Sequence, residues 1–368
     1  MSAVRVVLAG GGTAGHTSPL IATAEQLQAM AEVDIVCVGT PKGLESRVIP
    51  EAGLRLELIP PVPLPRSLTP ALLAVPYRLA GAVRRARRIL ASHRAQVAVG
   101  FGGYVSLPVY LAARLQRVPV VVHEGNAVPG LANRIAARFT PHVATTFPGT
   151  RLAHAEHLGL PVRARIAGLD RAAGRAAARA GFGLPQDGPV LLVSGGSQGA
   201  RSLNTATREA IPQLLARGVS VLHVLGAANL TAQDVVRTEP ATGATYAPVA
   251  YVTEMAEAYA AADVMLARAG AATVMETAMT GLPTVFVPLP HGNGEQGRNA
   301  AFLIEAEAGV LVPDAELDAD RLLAEVSGLL ADPARLTAMA ATCRRLVPAD
   351  ASKALARKVL AVAGGEAH

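Results

Sequence analysis

The sequence predicts an α/β protein built from two Rossmann-like domains, each with a parallel sheet. Short apolar runs alternate with helix-forming segments along the chain, a pattern typical of parallel strands joined by helical crossovers. A glycine-rich loop follows the first apolar run of each half. The chain has 368 residues, about twice the length of a typical domain, so two domains are expected.

The first half opens as strand, glycine loop, helix and strand. Residues 4–9 form an apolar run suited to a buried parallel strand, residues 10–15 form the loop, and residues 20–27 have a helix-forming composition. The next predicted strands are residues 34–38, 96–99 and 118–122.

The second half repeats this order. An apolar run at 189–193 precedes a loop at 195–199, and later strands are predicted at 219–224 and 284–287. Because β-α-β crossovers are right-handed, each half is expected to be doubly wound. The boundary is expected near residues 160–163, and a final helical segment at 350–363 fits either half.

Composition favours a soluble cytoplasmic protein. Hydrophobic residues make up 51% and charged residues 17%, which excludes disorder over most of the chain. Glycines and a proline interrupt the longest uncharged stretch, and no run of about 20 apolar residues occurs. The amino-terminal apolar run is too short for a secretory signal. Two cysteines provide neither a disulfide framework nor a metal cluster.

The net charge of +6 comes almost wholly from arginine. A basic surface suits nucleic acid, anionic lipid or phosphorylated substrates. Aromatic residues are only 3% and tryptophan is absent, so stacking surfaces for nucleic acid are sparse. Phosphate-bearing small molecules or a lipid surface are therefore the expected partners, and no nucleic acid is expected.

The first glycine loop, residues 10–15, has the spacing G-x-G-x-x-G. A nicotinamide site would also need an acidic residue at the end of the second strand, but Asp34 stands at its start. The loop favours an anionic or oxygen-rich ligand, with a ligand-free tight turn as the alternative. His16 follows directly and is a candidate general base because the positive end of a helix favours neutral imidazole. The alternative is a structural histidine.

Two more loops carry polar groups beside glycines. Residues 100–106 add Tyr104 and Ser106. Residues 195–201 could hold a diphosphate through backbone amides and the Ser197 hydroxyl. This loop lacks the lysine of a P-loop, which argues against nucleotide hydrolysis.

Later segments add candidate ligand groups. Glu276 could accept both hydroxyls of a ribose, or it could be a solvated helix carboxylate. Residues 291–299 concentrate amides, a carboxylate and a guanidinium after a strand, where open α/β sheets place ligands. The one D-x-D pair, Asp318 and Asp320, resembles a helix cap, so no metal site is expected.

Residues 64–94 mix apolar side chains with seven arginines. Helical parts of this segment could lie on an anionic membrane with the arginines toward lipid phosphates. An ordinary amphipathic helix with a solvated basic face is the equal alternative.

Together these loops resemble the MurG family of bacterial N-acetylglucosaminyltransferases, within glycosyltransferase family 28. The resemblance extends in order over nearly the whole chain: Gly-Gly-Thr-Ala-Gly-His at 11–16, Gly-Gly-Tyr-Val-Ser at 102–106, His-Glu-Gly-Asn at 123–126, Gly-Gly-Ser-Gln-Gly-Ala-Arg at 195–201, residues 268–276, and Glu295-Gln296 with Asn299.

The resemblance implies a GT-B fold, in which two Rossmann-like domains face each other across a cleft. Residues 1–162 would form the acceptor and membrane domain, residues 163–346 the donor domain, and residues 347–368 a helix returning to the first domain. It implies inverting transfer of N-acetylglucosamine from UDP-N-acetylglucosamine to the muramyl 4-hydroxyl of lipid I, giving lipid II in peptidoglycan synthesis. Neither a metal nor a cofactor is implied. The location implied is peripheral, on the cytoplasmic face of an anionic membrane.

The resemblance also assigns site residues. His16 would take the proton of the acceptor hydroxyl, Glu276 would hold the ribose, and Val252 would contact uracil through its backbone. The other implied substrate-binding residues are Ser197 and Arg163 at the diphosphate, Gln296 and Asn299 at the sugar, Ala271, Ala272 and Thr273, and, from the first domain, Thr13, Ala14, Gly15, Tyr104 and Asn126. Ala14 departs from the family's glycine, and Glu295, where relatives vary, receives no role.

Three alternatives remain. The chain could be a related GT-B transferase acting on an antibiotic or another polyprenyl lipid. It could be a nicotinamide-dependent oxidoreductase, or a scaffold that binds UDP-sugar without turning it over.

Overall fold

A computed structural model describes residues 3–62, 74–196, 199–290 and 294–365. The chain divides into two compact units. Unit 1 comprises residues 1–163 and 350–368, and unit 2 comprises residues 164–349.

Unit 1 contains a seven-stranded sheet in the order β3-β2-β1-β4-β5-β6-β7. Every neighbouring pair is parallel. The strands are β1 Val4–Ala9, β2 Val33–Gly39, β3 Arg55–Leu58, β4 Val97–Gly100, β5 Val120–Glu124, β6 Val143–Thr145 and β7 Ala155–His157. The predicted parallel sheet of the first half is confirmed, with β4 and β5 beginning one or two residues later than predicted.

Helices cover both faces of this sheet. They are α1 Ala14–Met30, α2 Glu45–Glu51, α3 Val75–His93, α4 Gly103–Leu115 and α5 Leu131–Ala136. Alternate residues of β1 divide between two apolar clusters: Val6 and Leu8 pack with α1, while Val7 and Ala9 pack with α3 and α4. Full burial of each valine or leucine stabilises the fold by about 1.5–3 kcal/mol. This two-sided burial explains the continuous apolar run in the sequence.

Unit 2 repeats the plan with a sheet in the order β10-β11-β9-β8-β12-β13-β14. The strands are β8 Val190–Ser194, β9 Ser220–Val224, β10 Arg237–Thr238, β11 Thr245–Val249, β12 Val264–Ala267, β13 Thr284–Phe286 and β14 Val310–Leu311. The edge strand β10 pairs antiparallel with β11, whereas the other pairs are parallel. The expected parallel sheet is therefore confirmed except for this short edge.

The helices of unit 2 also lie on both sides of its sheet. They are α6 Ala164–Ala167, α7 Arg171–Gly181, α8 Arg201–Ala216, α9 Met255–Ala261, α10 Ala271–Thr280, α11 Glu295–Glu305, α12 Ala319–Leu330 and α13 Pro333–Leu346. A 3-10 turn, Asp314–Glu316, precedes α12. Asp318 caps α12 by accepting a hydrogen bond from the Arg321 N–H at 2.7 Å, so its predicted role as a helix cap is confirmed.

The last helix, α14 Ala351–Gly364, belongs to unit 1. Leu355, Ala356 and Val359 join the apolar cluster that contains Val6 and Leu8. The Ser352 hydroxyl donates to the Val162 carbonyl oxygen at 2.9 Å. Unit 1 is thus completed by a segment that follows all of unit 2 in the sequence.

Within the described residues, every helix is too short or too polar to cross a bilayer. The same residues contain no group of three or more His, Cys, Asp or Glu side chains that could hold a metal ion.

Candidate active site

The loops after β1, β4 and β5 meet at the carboxyl edge of the unit 1 sheet. A Cβ atom on Gly103 would lie 2.6 Å from the Gly11 carbonyl oxygen, and one on Gly125 would lie 3.6 Å from the Gly15 carbonyl oxygen. Gly103 has a φ of +77°, a conformation that glycine adopts without strain. The strand order reverses between β1 and β4, which is where doubly wound sheets bind ligands.

His16 lies in the first turn of α1, as predicted, and is half-buried at this edge. Its Nδ1 is 3.1 Å from the Gly11 carbonyl oxygen and 3.1 Å from the Thr13 hydroxyl. Because a carbonyl oxygen can only accept, Nδ1 carries the proton and Nε2 keeps a lone pair. A Cβ atom on Gly102 would lie 3.2 Å from Nε2, so glycine leaves room beside this atom.

The environment keeps the His16 imidazole neutral. Burial is the largest influence and lowers its pKa below the ordinary value of 6.5, while the Gly11 carbonyl and the Glu45 charge act in the opposite direction. The sequence indicated the helix end as the cause, but desolvation dominates. A neutral imidazole with an unprotonated Nε2 can accept a proton from a hydroxyl.

Glu124 anchors the loop that contains Asn126. Its carboxylate accepts hydrogen bonds from the Asn126 N–H at 2.9 Å, the Gly130 N–H at 2.9 Å and the Asn133 side-chain amide at 2.9 Å. The Tyr110 hydroxyl in turn donates to the side-chain oxygen Oδ1 of Asn133 at 2.7 Å. These bonds engage both oxygens of Glu124, so its side chain fixes loop geometry.

His123, next to Glu124, is fully buried. Its Nε2 lies 3.0 Å from the Gly159 carbonyl oxygen, and burial lowers its pKa to about 4. The ring is therefore neutral at pH 7, and it packs against Phe101 with 5.7 Å between ring centroids. His123 therefore stabilises the fold through its packing and its contact with the Gly159 carbonyl.

The second glycine loop is held by Ser106. The Ser106 hydroxyl is buried, accepts a hydrogen bond from the Gly102 N–H at 3.0 Å, and lies 2.7 Å from the Gly102 carbonyl oxygen. Tyr104, in the first turn of α4, is 48% exposed. Tyr104 is thus available to a ligand at this edge, whereas Ser106 stabilises the loop.

The loop between β8 and α8 is tightly folded. A Cβ atom on Gly195 would overlap the Ala200 backbone nitrogen, and one on Gly199 would overlap the Leu225 carbonyl oxygen. The loop leads into α8, whose first N–H groups lack partners within the helix. Ser197, predicted at the diphosphate, lies outside the described residues.

The loop after β12 leads directly into α10. Ala271, Ala272 and Thr273 are the first three residues of this helix, so their N–H groups have no acceptor within it. Glu276 is buried, and its Oε2 accepts a hydrogen bond from the Tyr259 hydroxyl at 2.7 Å. Glu276 is therefore not a solvated helix carboxylate, which removes that alternative.

The other residues predicted to bind the sugar nucleotide also lie at the carboxyl edge of the unit 2 sheet. Gln296 is half-buried, and its side-chain oxygen accepts from the Leu289 N–H at 2.9 Å. Asn299 is fully buried and donates to the Ala269 carbonyl oxygen at 3.3 Å, so here it supports the β12–α10 loop. Val252, three residues after β11, is buried. Direct sugar contact by Asn299 stays a prediction.

Arg163 belongs to unit 1. Its Nε lies 3.4 Å from the Glu25 carboxylate on α1, and both side chains are 41% exposed. Its predicted position near a diphosphate stays a prediction.

Arg268 is a residue for which the sequence pattern predicts no role. Its guanidinium donates to the Val287 carbonyl oxygen at 3.1 Å, the Ser202 hydroxyl at 3.0 Å and the Asp314 carboxylate at 2.5 Å. These bonds tie together the end of β12, the segment after β13, the start of α8 and the 3-10 turn. Because the partners are scattered along the chain, local pattern gives no signal for this cluster.

Family models match both units. The amino-terminal domain model of glycosyltransferase family 28 matches residues 6–145, and the carboxyl-terminal domain model of the same family matches residues 190–355. Together they cover well over half of the chain.

Relatives named UDP-N-acetylglucosamine–N-acetylmuramyl-(pentapeptide) pyrophosphoryl-undecaprenol N-acetylglucosamine transferase match nearly end to end. The protein from Cutibacterium acnes is 56% identical over 98% of both chains. That from a Nocardioides strain is 55% identical over 97% of this chain and 98% of the relative.

Solved structures show the same fold. A crystal structure of MurG from Acinetobacter baumannii has a TM-score of 0.75 and 28% identity, covering 98% of this chain and 99% of that one. The calicheamicin glycosyltransferase CalG4 has a TM-score of 0.71 at 16% identity over the whole of both chains, a likeness of fold alone. From the two matched domain models and these near-complete relatives, the chain belongs to glycosyltransferase family 28 and has the GT-B fold.

Proposed function

We propose that this chain transfers N-acetylglucosamine from UDP-N-acetylglucosamine to the 4-hydroxyl of the muramyl sugar of undecaprenyl-pyrophosphoryl-MurNAc-pentapeptide. This reaction converts lipid I into lipid II in peptidoglycan synthesis. The observation that carries the chemistry is the position of His16, whose Nδ1 lies 3.1 Å from the Gly11 carbonyl oxygen and whose pKa is lowered by burial, an arrangement that leaves Nε2 to accept a proton. The names of relatives up to 56% identical supply the substrates.

In the proposed reaction, His16 Nε2 takes the proton as the acceptor oxygen attacks the anomeric carbon. The bond from that carbon to the diphosphate oxygen breaks, UDP leaves with the electron pair, and the configuration inverts. One base is enough for a single displacement. The developing charge on UDP is stabilised by the N–H groups of the 195–200 loop and of the first turns of α8 and α10, without a metal ion.

Unit 2 supplies the donor site in this proposal. Glu276 accepts the ribose hydroxyls, Val252 contacts uracil through its backbone, and Gln296 and Asn299 serve the sugar. The diphosphate is assigned to Ser197 and to the helix start at Ala271, Ala272 and Thr273 of unit 2, together with Arg163, the last residue of the first segment of unit 1. From unit 1 the ligands are Thr13, Ala14, Gly15, Tyr104 and Asn126.

The test is transfer from radiolabelled UDP-N-acetylglucosamine to a water-soluble lipid I analogue. We expect a β-linked disaccharide product and one UDP released per sugar transferred. Absence of transfer to lipid I analogues, together with transfer to another polyprenyl or antibiotic acceptor, would replace this proposal by the related-transferase alternative. Parallel binding measurements with UDP and NAD separate both from an oxidoreductase, because only UDP should bind tightly.

Tyr259→Phe should raise the KM for UDP-N-acetylglucosamine by about 5- to 10-fold with little change in kcat. The phenol hydroxyl donates to Glu276 Oε2 at 2.7 Å and orients this carboxylate. A hydrogen bond to a charged group contributes about 1.5–3 kcal/mol, and we expect part of this loss to appear as weaker donor binding. Steady-state kinetics at saturating acceptor measure this. Tyr251→Phe is the matched control, since Tyr251 is 53% exposed. Equal KM values for both variants would contradict the role of Glu276.

We also propose peripheral attachment to the cytoplasmic face of an anionic membrane. Arginines of α3, Arg84, Arg85 and Arg88, line a cavity of about 480 Å³ together with Leu58 and other residues of unit 1. Tyr77, near the start of this helix, is 85% exposed. Residues 64–73 of the predicted amphipathic segment lie outside the described residues.

Replacing these three arginines together by glutamine should weaken binding to vesicles containing phosphatidylglycerol about 100-fold, since each basic residue contributes about 1 kcal/mol at such a surface. Co-sedimentation at several vesicle concentrations measures this. The control variant carries glutamine in place of Arg217, Arg335 and Arg345, three exposed arginines of unit 2. Both triple variants lose the same net charge. If both triple variants lose the same affinity, only net charge matters and this surface is not the attachment site.

A further inference from the structure

Glu45 is a buried carboxylate beneath the first glycine loop. It is the first residue of α2 and has 0% exposure. Oε2 accepts from the Gly12 N–H at 2.8 Å, and Oε1 accepts from the Thr40 N–H at 2.9 Å and the Thr40 hydroxyl at 2.7 Å. A carboxyl group that only accepts is in its ionised form. A buried charge of this kind is retained when hydrogen bonds satisfy it, as they do here.

The chain makes room for this carboxylate with glycines. Cβ atoms on Gly11 and Gly43 would overlap the Glu45 carboxylate, and one on Gly39 would lie 2.5 Å from Glu45 Cγ. The glycines of the first loop therefore do more than allow a ligand to approach from outside. Gly11 also allows a carboxylate to approach the loop from inside.

A single peptide group connects Glu45 to His16. The Gly12 N–H, which donates to Glu45 at 2.8 Å, and the Gly11 carbonyl, which lies 3.1 Å from His16 Nδ1, belong to the same peptide plane. Hydrogen bonds in such a chain polarise one another. A carboxylate at the N–H end makes the carbonyl at the other end a better acceptor for the imidazole proton.

We propose that Glu45 is a positioning residue for His16 and acts through the Gly11–Gly12 peptide. The carboxylate holds the peptide so that its carbonyl fixes the Nδ1–H tautomer and directs the Nε2 lone pair outward. In a Ser-His-Asp triad the carboxylate contacts the base directly. Here a peptide group lies between them. The inference rests on the proposed function in that it gives His16 the role of base.

The negative charge of Glu45 should also affect the pKa of the His16 imidazole. The described residues 11–13 and 102–103, at the imidazole, are glycines and one threonine and carry no charged side chain. Glu45 is the charged group that raises the pKa of His16 against the effect of burial. Removal of this charge should therefore make His16 less basic.

Nitrogen-15 NMR of histidine side chains tests the proposal without any need for turnover. The chain has nine histidines, and His16→Ala identifies the His16 signals by their loss. The wild type should show the Nδ1–H tautomer. In Glu45→Gln we expect a mixture of tautomers and a lower His16 pKa, because the charge that opposes the effect of burial is gone. Glu51→Gln, an exposed residue of the same helix, should leave both unchanged.

An Nε2–H tautomer in the wild type, or Glu45→Gln spectra and titration equal to those of the wild type, would overturn the proposal. If Glu45→Gln does not fold, Glu45→Asp serves in its place because it keeps the charge but loses reach to the Gly12 N–H. The Nδ1–H fraction should then fall, and an unchanged fraction would overturn the proposal.

Kinetics provide a second readout. Glu45→Gln should lower kcat about 10-fold while the KM for UDP-N-acetylglucosamine changes less than about 2-fold, since the effect is on the base. A kcat equal to that of Glu51→Gln would overturn the proposal. A wild type with the expected tautomer but no transfer to lipid I would instead contradict the proposed function, so the two failures are distinguishable.

Discussion

Replacing His16 by alanine should lower kcat by about 10²- to 10⁴-fold with a much smaller change in the KM for UDP-N-acetylglucosamine. The variant loses the only group assigned to accept the acceptor proton, while the groups assigned to the uridine and to the transferred sugar lie in unit 2. Initial rates with a soluble lipid I analogue measure the effect. His157→Ala, an exposed histidine of β7, is the control and should behave as wild type.

The pH profile of the wild type adds to this test. Burial lowers the pKa of His16 below 6.5, so the imidazole stays unprotonated to a lower pH than a free histidine does. The rate should fall only below pH 6.5, when His16 gains a proton. This acidic limb should be absent from the residual activity of His16→Ala. Near-normal turnover in that variant would move the role of base elsewhere.

Gly199→Ala should destabilise unit 2 by about 3 kcal/mol and lower its melting temperature by roughly 6–12 °C. Gly199 has a φ of +71°, and a Cβ atom there would overlap the Leu225 carbonyl oxygen. Left-handed backbone costs alanine about 1–2 kcal/mol, and the clash with backbone adds to it. Thermal unfolding followed by circular dichroism measures the change.

Gly196 of the same loop offers a matched control. Its φ is +82°, but a Cβ atom there would meet no atom of the described residues within 4 Å. Gly196→Ala should therefore show only the conformational cost of about 1 kcal/mol. Equal losses in the two variants would mean that the close approach to Leu225 contributes nothing. Donor affinity should fall with stability in Gly199→Ala, since the same loop is proposed to hold the diphosphate.

The sheets could be predicted because their signal is local. Residues 4–9 of the sequence match β1 Val4–Ala9, since a strand buried on both faces is a continuous apolar run. The edge strands β7 and β10 are exposed, contain charged residues, and leave no such run. These two strands form because a neighbouring strand provides hydrogen-bond partners for their backbone. Their own residues do not indicate this pairing.

Part of the candidate site could likewise be predicted from the sequence, and part could not. The glycine loops and His16 could be found from spacing, because a strand, a turn and a helix start are consecutive in the chain. The partners that give these groups their geometry come from elsewhere: Glu45 contacts Gly12 across 33 residues, and Tyr259 contacts Glu276 across 17. Nothing in the Thr40–Glu45 segment marks it as part of a histidine site. Such partners can be identified only in the folded structure, where the sheet brings residues distant in the chain within hydrogen-bond distance.

The return of α14 to unit 1 has a consequence for biosynthesis. A ribosome translates the first 163 residues, then the whole of unit 2, and only afterwards the helix whose Leu355 and Val359 cover α1. During synthesis, the apolar surface of α1 that Leu355 and Val359 cover in the folded protein therefore stays exposed until all of unit 2 has been translated. Domains generally fold as units during synthesis, so unit 2 can fold before unit 1 receives α14, and the exposed apolar surface of unit 1 is prone to aggregation in that interval.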